Sequence, residues 1–310
     1  MPREKVFITG ASGLLGAACC LELRNRFDVT GSYHSHGVGM DGVETVMLDF
    51  GNSADVIKKI KSAKPQWVIH TAAMTNVDLC ETERARAYEA NVTGAKNIAL
   101  AAKECGAMLI HMSTDYVFDG KKGNYSETDA LGPVSYYCET KVLGEQEVAN
   151  AYPDAAIVRA TIFGWNIVGG QFNIGSRIVS ELRAGRKPAL FTDQCNSTIL
   201  VNDLAELFSE MHAKRLSGVY HAGTQGKTSK YALGLEICRA FGFDKSMLRE
   251  ARLSEFEKRG VLKAKRPRDT SLSSKKLEKA LGRKMPEIRG CVERFKNLGG
   301  NNYLGNFALK

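Results

Sequence analysis

The sequence predicts an α/β fold, a doubly wound parallel sheet with a smaller, mainly C-terminal second part. Three observations predict it. Apolar, β-branched runs alternate with segments of helical spacing, the first run ends in a glycine-rich turn, and the regular alternation stops after Arg159. Strands separated by helices imply parallel pairing, with both faces of the sheet covered.

The elements follow in order. "KVFITG" is a β-branched run ending in glycine, and "LLGAACCLELRNR" has the spacing of a helix. "DVTGSY" is the second strand, "SADVIKKIKSA" an amphipathic helix and "PQWVIHTAA" the third strand. A helix is expected over roughly Glu83–Cys105, then "AMLIHMST" as the fourth strand, a helix in "VSYYCETKVLGEQEVANAY" and "AAIVRA" as the fifth strand. Beyond Arg159, helices are expected near Phe172–Ala184, Val201–His212, Lys230–Phe241 and Lys275–Leu281. Residues 1–160 are therefore expected to form one domain to which 200–213 return. Residues 161–199 and 214–310 would form a smaller second domain closed over the strand ends.

Composition excludes several classes. The chain has 310 residues, 44% of them hydrophobic, enough for a sizeable core. No run approaches the roughly 20 apolar residues that cross a bilayer, and "MPREKVFITG" passes straight into a strand, so no membrane is expected and the cytoplasm is the default location. Eight scattered cysteines, with no Cys-x-x-Cys and no paired Cys/His spacing, read as reduced and mostly buried; no metal is expected. The formal net charge is +9, and between Lys258 and Lys296 fourteen Lys or Arg face four Asp or Glu. That block suits an anionic partner or a solvated helical surface, and its charge alone does not choose. It lacks the interleaved aromatics of a single-strand platform, so no nucleic acid is expected.

Chemistry enters with "TGASGLLG", which sets Gly10, Gly13 and Gly16 between the first strand and the first helix. Glycines there let the backbone turn tightly and approach a pyrophosphate, while a helix N-terminus offers N–H donors, so a Rossmann-type cofactor site is expected. In "SYYCETKVLGE", Tyr137 and Lys141 lie four residues apart on one helix face, whereas Tyr136 aligns with Thr140. An ammonium beside a phenol favours its ionised form and is expected to bring Tyr137 towards a useful range. Ser113 and Thr114 end the fourth strand, where open α/β sheets place ligands.

Together these segments resemble the extended short-chain dehydrogenase/reductases, and within them the dTDP-4-dehydrorhamnose reductase-like family. The similarity runs in order through "TGASGLLG", "VIHTAAMTNVD", "EANVTGAKNI", "STDYVFDG", "YSETDALGPVSYYCETKVLGE", "IVRATIFG", "GVYHAGTQGKTSKY" and "KRPRDTSL". The resemblance implies an NAD(P)H-dependent reductase of the 4-keto group of a nucleotide-activated deoxysugar, in dTDP-rhamnose-type chemistry. It makes the first domain dinucleotide-binding and the second substrate-binding, and it marks Thr114, Tyr137 and Lys141 as catalytic. Gly10, Gly13, Leu14, Leu15, Gly16, His34, Ser35, Asp49, Phe50, Ala72, Ala73 and Asn91, with Tyr137 and Lys141, would hold the cofactor. Thr75, Val77, Tyr116 and Arg266 would meet the nucleotide sugar, with Arg268 a second choice.

Two positions depart from the family pattern. Cys138 follows the tyrosine where glycine is usual, and "RATIFGW" lacks the loop tryptophan that lies against the sugar, Trp165 coming just after. The second strand ends "GSYHSHG" without an acid for a ribose 2′-hydroxyl, so NADPH is expected to bind at least as well as NADH. The partner is a nucleotide-sugar substrate, and the resemblance leaves room for a homodimer. The alternative is a non-catalytic regulatory subunit on the same scaffold, like the methionine adenosyltransferase beta subunit.

Overall fold

Alternation in the sequence becomes alternation in space. The computed structural model describes residues 2–166, 173–300 and 307–309. The chain opens with β1 (Lys5–Thr9), α1 (Leu14–Leu23), β2 (Asp28–Tyr33), β3 (Val38–Met40) and β4 (Val43–Met47). Then come α2 (Ser53–Ala63), β5 (Trp67–His70), α3 (Val77–Thr82), α4 (Arg84–Tyr88), α5 (Gly94–Glu104), β6 (Met108–Thr114), α6 (Tyr136–Ala151) and β7 (Ala156–Ala160). Later elements are shorter: β8 (Ile162–Phe163), α7 (Ile174–Arg183), β9 (Ala189–Phe191), β10 (Cys195–Asn196), β11 (Ile199–Leu200) and α8 (Val201–Ala213). β12 (Gly218–His221), β13 (Thr228–Ser229), α9 (Lys230–Phe241), β14 (Arg249–Ala251), α10 (Leu253–Lys258), α11 (Lys275–Leu281), α12 (Ile288–Gly300) and β15 (Phe307–Leu309) complete it.

Nine strands form the main sheet in the order β12-β7-β6-β5-β1-β2-β4-β3-β15. β1 pairs in parallel with β2 on one side and β5 on the other. The strand order therefore reverses at β1, and a crevice opens beyond the carboxyl ends of the strands. Alternate strand residues feed opposite faces. Ile8, Ile69 and Ile110 join one core with α1 and α8 residues such as Cys19 and Leu204, while Phe7, Val68 and Leu109 join a second core with Val56, Ile60 and Ile98. Fully burying each such side chain stabilises by roughly 1.5–3 kcal/mol, which is why these central strands read as continuous apolar runs.

The differences from expectation are local. β3 and β4 were not foreseen, and they place β6 and β7 where a fourth and fifth strand were expected. The helix expected over Glu83–Cys105 is broken by a π-helical turn at Glu89–Thr93. α7 starts at Ile174; Phe172, where a helix was expected to begin, lies outside the described residues. Gly218–His221 was assigned to the substrate-binding part, yet β12 extends the main sheet by pairing with β7. No helix among the described residues is long and apolar enough to cross a membrane. None of the eight cysteines is in a disulfide, and six are buried.

Candidate active site

The glycine turn is built by backbone crowding. Gly10 has φ +73°, a region that L side chains rarely adopt. A Cβ on Gly16 would lie 2.1 Å from the Gly10 carbonyl oxygen, so α1 can begin there only without a side chain. Gly13 caps α1 with no side-chain hydrogen bond, and the first turn carries no acid. The turn thus presents uncapped N–H groups and the positive end of a helix, an arrangement that fits a dinucleotide pyrophosphate. Leu15 is buried in the core, so only its backbone faces the turn, while Leu14 is half-buried.

Two neighbouring loops complete this end of the crevice. Thr9 is the tie: its hydroxyl accepts from the Thr71 and Ala72 amides at 3.1 and 3.2 Å, and its oxygen lies 2.7 Å from His70 Nδ1. Ala72 and Ala73 are half-buried, with the Ala72 backbone against Gly10. After β4, exposed Asp49 accepts from the Gly51 amide at 3.0 Å, and the Phe50 ring lies 6.1 Å from that of His70. His34 and Ser35 are exposed just after β2, whose Ser32 carbonyl accepts from the Ala11 amide of the glycine turn at 2.7 Å.

At the end of β6 the structure brings together the three residues singled out as catalytic. Thr114 and Tyr137 are both buried there; the Thr114 hydroxyl donates to Asp115 Oδ1 at 3.1 Å and lies close enough to the Tyr137 phenol to act on it. Lys141, buried one turn further along α6, donates from Nζ to the Met112 carbonyl at 2.9 Å. The expected effect of Lys141 on Tyr137 is corrected here. Burial pushes the phenol well above its ordinary value, only partly offset by the nearby Thr114 hydroxyl, and burial draws the lysine down to about 8. Tyr136, by contrast, is only half-buried; its ring lies under the Arg84 guanidinium at 4.7 Å, and its amide donates to Glu81 at 2.7 Å.

Helix α6 is held by the π-helical turn. Asn91 donates from Nδ2 to the Met74 carbonyl and to the Thr140 hydroxyl, both at 3.0 Å, and accepts from the Met74 amide at 2.8 Å. A Cβ on Gly144 would lie 2.3 Å from the Asn91 carbonyl oxygen, so that glycine sets how closely α6 approaches. An extra residue in a helical turn re-aims its side chains, a device common at functional sites.

The residues expected to meet substrate are partly assembled. The Tyr116 ring stands edge-on to Tyr137 at 6.3 Å, and its hydroxyl accepts from Gln194 at 2.8 Å. Val77 packs against the cluster containing Tyr137, while Thr75 is exposed on the loop before α3. Arg266 is half-buried and already has an anion: its Nη2 donates to Asp78 at 2.8 Å, and Nη1 donates to the Ala264 carbonyl. Arg268 is exposed. Trp165 does not face the crevice; it stacks on Phe295 at 4.3 Å and donates to the Phe295 carbonyl at 2.7 Å. The sequence reading missed Glu145, which lies beside Lys141, and Gln194. Only the first left a sequence signal, its spacing of four from Lys141 and eight from Tyr137. Among the described residues no cluster of His, Cys, Asp and Glu is placed to hold a metal.

Comparison with known proteins agrees with this geometry. The family model of the RmlD substrate binding domain matches residues 4–298. The chain is 32% identical over 260 residues to the dTDP-4-dehydrorhamnose reductase of Mycobacterium tuberculosis, covering 82% of this chain and 81% of that one. It is 30% identical over 304 residues to the methionine adenosyltransferase 2 subunit beta of Pongo abelii, covering 94% and 87%. Among solved structures, the dTDP-4-dehydrorhamnose reductase of Bacillus anthracis in complex with NADP superposes with a TM-score of 0.83, at 27% identity and covering 95% of this chain and 99% of that one. Fold, site geometry and a match running through nearly the whole length agree: this chain belongs to the RmlD substrate binding domain family, the dTDP-4-dehydrorhamnose reductase-like branch of the extended short-chain dehydrogenase/reductases.

Proposed function

We propose that this protein is an NADPH-dependent oxidoreductase that reduces the 4-keto group of a nucleotide-activated deoxysugar, of the dTDP-4-dehydrorhamnose type, in the cytoplasm. The observation that carries the reading is the burial of Thr114, Tyr137 and Lys141 together where β6 ends against α6, with the Tyr137 phenol within reach of the Thr114 hydroxyl and Lys141 one turn beyond. When bound, the nicotinamide supplies the hydride. The chain's own residues do the rest. Tyr137 gives its proton to the sugar oxygen, Thr114 orients that oxygen, and the Lys141 ammonium stabilises the phenolate left behind. Burial around Tyr137 excludes water and keeps the phenol protonated until the oxygen develops charge.

In this reading the uncapped turn of Gly10, Gly13, Leu14, Leu15 and Gly16 takes the pyrophosphate, and Asp49 and Phe50 flank the adenine. Ala72, Ala73 and Asn91 shape the cleft. Exposed His34 and Ser35 after β2, with no carboxylate on that strand end, favour a 2′-phosphate, so NADPH is preferred and NADH accepted. Thr75, Val77, Tyr116 and Arg266 face the nucleotide sugar. Relatives that are regulatory subunits favour a second reading, as a non-catalytic partner; the assembled Thr114, Tyr137 and Lys141 weigh against it.

The test is NADPH oxidation with a dTDP-4-keto-6-deoxysugar. Turnover that disappears in Tyr137→Phe is expected. Tight NADPH binding without turnover on any keto-sugar nucleotide would instead favour the regulatory reading.

A further inference from the structure

Tyr137, Lys141 and Glu145 follow one another at four-residue spacing on α6, 7%, 3% and 5% exposed. That spacing stacks them on one face. A buried carboxylate is costly unless it is paired and hydrogen-bonded. Glu145 is both. Arg159 of β7 donates from Nε to Oε1 at 2.9 Å and from Nη2 to Oε2 at 2.7 Å, and Ser113 of β6 donates to Oε1. Arg159 also reaches His221 of β12, with Nη1 3.5 Å from Nε2. Two adjacent strands therefore fix the carboxylate one turn beyond Lys141.

The other titratable groups facing Lys141 do not favour its charge. His70 of β5 and His111 of β6 are fully buried and held neutral, chiefly by burial and further by the lysine itself. The Met112 carbonyl accepts one hydrogen bond from Nζ. Against the desolvation that draws the lysine down to about 8, Glu145 is the opposing influence.

We propose that Glu145 is a positioning residue: held by Ser113 and Arg159, its carboxylate keeps Lys141 protonated and thereby sets the pH range in which Tyr137 can deliver its proton. The consequence for turnover rests on the reductase reading, whereas the effect on Lys141 does not. The signs follow directly. Removing the carboxylate leaves only the Met112 carbonyl to oppose desolvation, so the Lys141 midpoint falls. Removing Arg159 takes away a like charge that competes for the same carboxylate, so the midpoint rises. A purely structural tie between α6 and the sheet predicts no such opposition, because either substitution breaks the same ion pair.

The experiment is an NMR titration of the Lys141 side chain in the full, cofactor-free chain, assigned by its loss in Lys141→Met, together with the pH profile of kcat/KM. In Glu145→Gln, the midpoint and the alkaline limb of the profile are expected to move down by about one pH unit. Glu145→Asp should restore most of the wild-type value, and Arg159→Met should move both upwards. An unchanged midpoint in Glu145→Gln overturns the proposal. A fall or no movement in Arg159→Met overturns it independently, so the test stands even where Glu145→Gln does not fold. Shifted midpoints in a chain that turns over no keto-sugar keep this inference and reject the reductase reading.

Discussion

Helix α6 and the basic stretch Lys258–Lys296 are both rich in charge, and they use it in opposite ways. On α6 one lysine sits buried next to a fixed carboxylate, and desolvation draws it well below its ordinary value. In the basic stretch, cations find carboxylates on other elements at or near the surface: Arg266 on Asp78 at 2.8 Å, Arg283 on Glu210 at 2.6 Å, and Arg294 on Asp203 and Glu206 at 2.6 and 2.7 Å. Three of the fourteen basic residues that look like a binding surface in the sequence thus tie one element to another. A charge is chemically consequential where water is excluded, and screened charge mostly holds surfaces together.

Six substitutions sharpen or break that contrast. The largest effect belongs to Tyr137→Phe, expected to lower kcat at least about 100-fold with NADPH affinity kept, while Tyr136→Phe changes it little; equal losses from the two would remove Tyr137 from its role. Next is Lys141→Met. Because the folded-state value of the lysine lies near 8 and its ordinary value at 10.5, the folded chain releases this proton first, and stability contributed by this site rises with pH between those limits. Thermal unfolding of wild type and variant should diverge there by up to about 1.4 kcal/mol per pH unit, the wild type gaining; parallel curves would mean the lysine is not desolvated.

In the basic stretch the effects shrink. Arg266→Ala is expected to raise the sugar-nucleotide KM about tenfold, roughly 1.4 kcal/mol, with kcat little changed. Asp78→Ala separates two causes: unchanged KM leaves Arg266 as a diphosphate ligand, whereas an equal rise makes the Arg266–Asp78 pair a structural latch. Smallest is Arg268→Ala. This exposed residue is 3.8 Å from Glu257, and its loss should shift stability by less than about 0.5 kcal/mol in a denaturant titration.

Much of this was legible in the residues. β1, β2 and α2 fall on the stretches expected from "KVFITG", "DVTGSY" and "SADVIKKIKSA", and α9 and α11 lie at Lys230–Phe241 and Lys275–Leu281 as expected. Long apolar runs and clear helical periods carry their own signal. The two-residue strands β8, β10, β11 and β13 carry none, because so short a pairing reflects its neighbour more than its own sequence. The π-helical turn was hidden for a related reason: Asn91 and Gly144 are far apart in the chain and meet only when α6 docks.

By itself, the sequence determined the alternation of strands and helices, the glycine turn that fits a dinucleotide, and which tyrosine shares a helix face with Lys141. Those features depend on spacing within a few residues, which the local geometry of helix and strand converts directly into shape. Only the tertiary structure decided that burial, and not the lysine, dominates Tyr137, that Arg266 already holds a carboxylate, that Trp165 belongs to the core, and that Glu145 is clamped beside Lys141 by two strands. Desolvation and long-range pairing depend on what surrounds a group from distant parts of the chain, and no window of sequence contains that information.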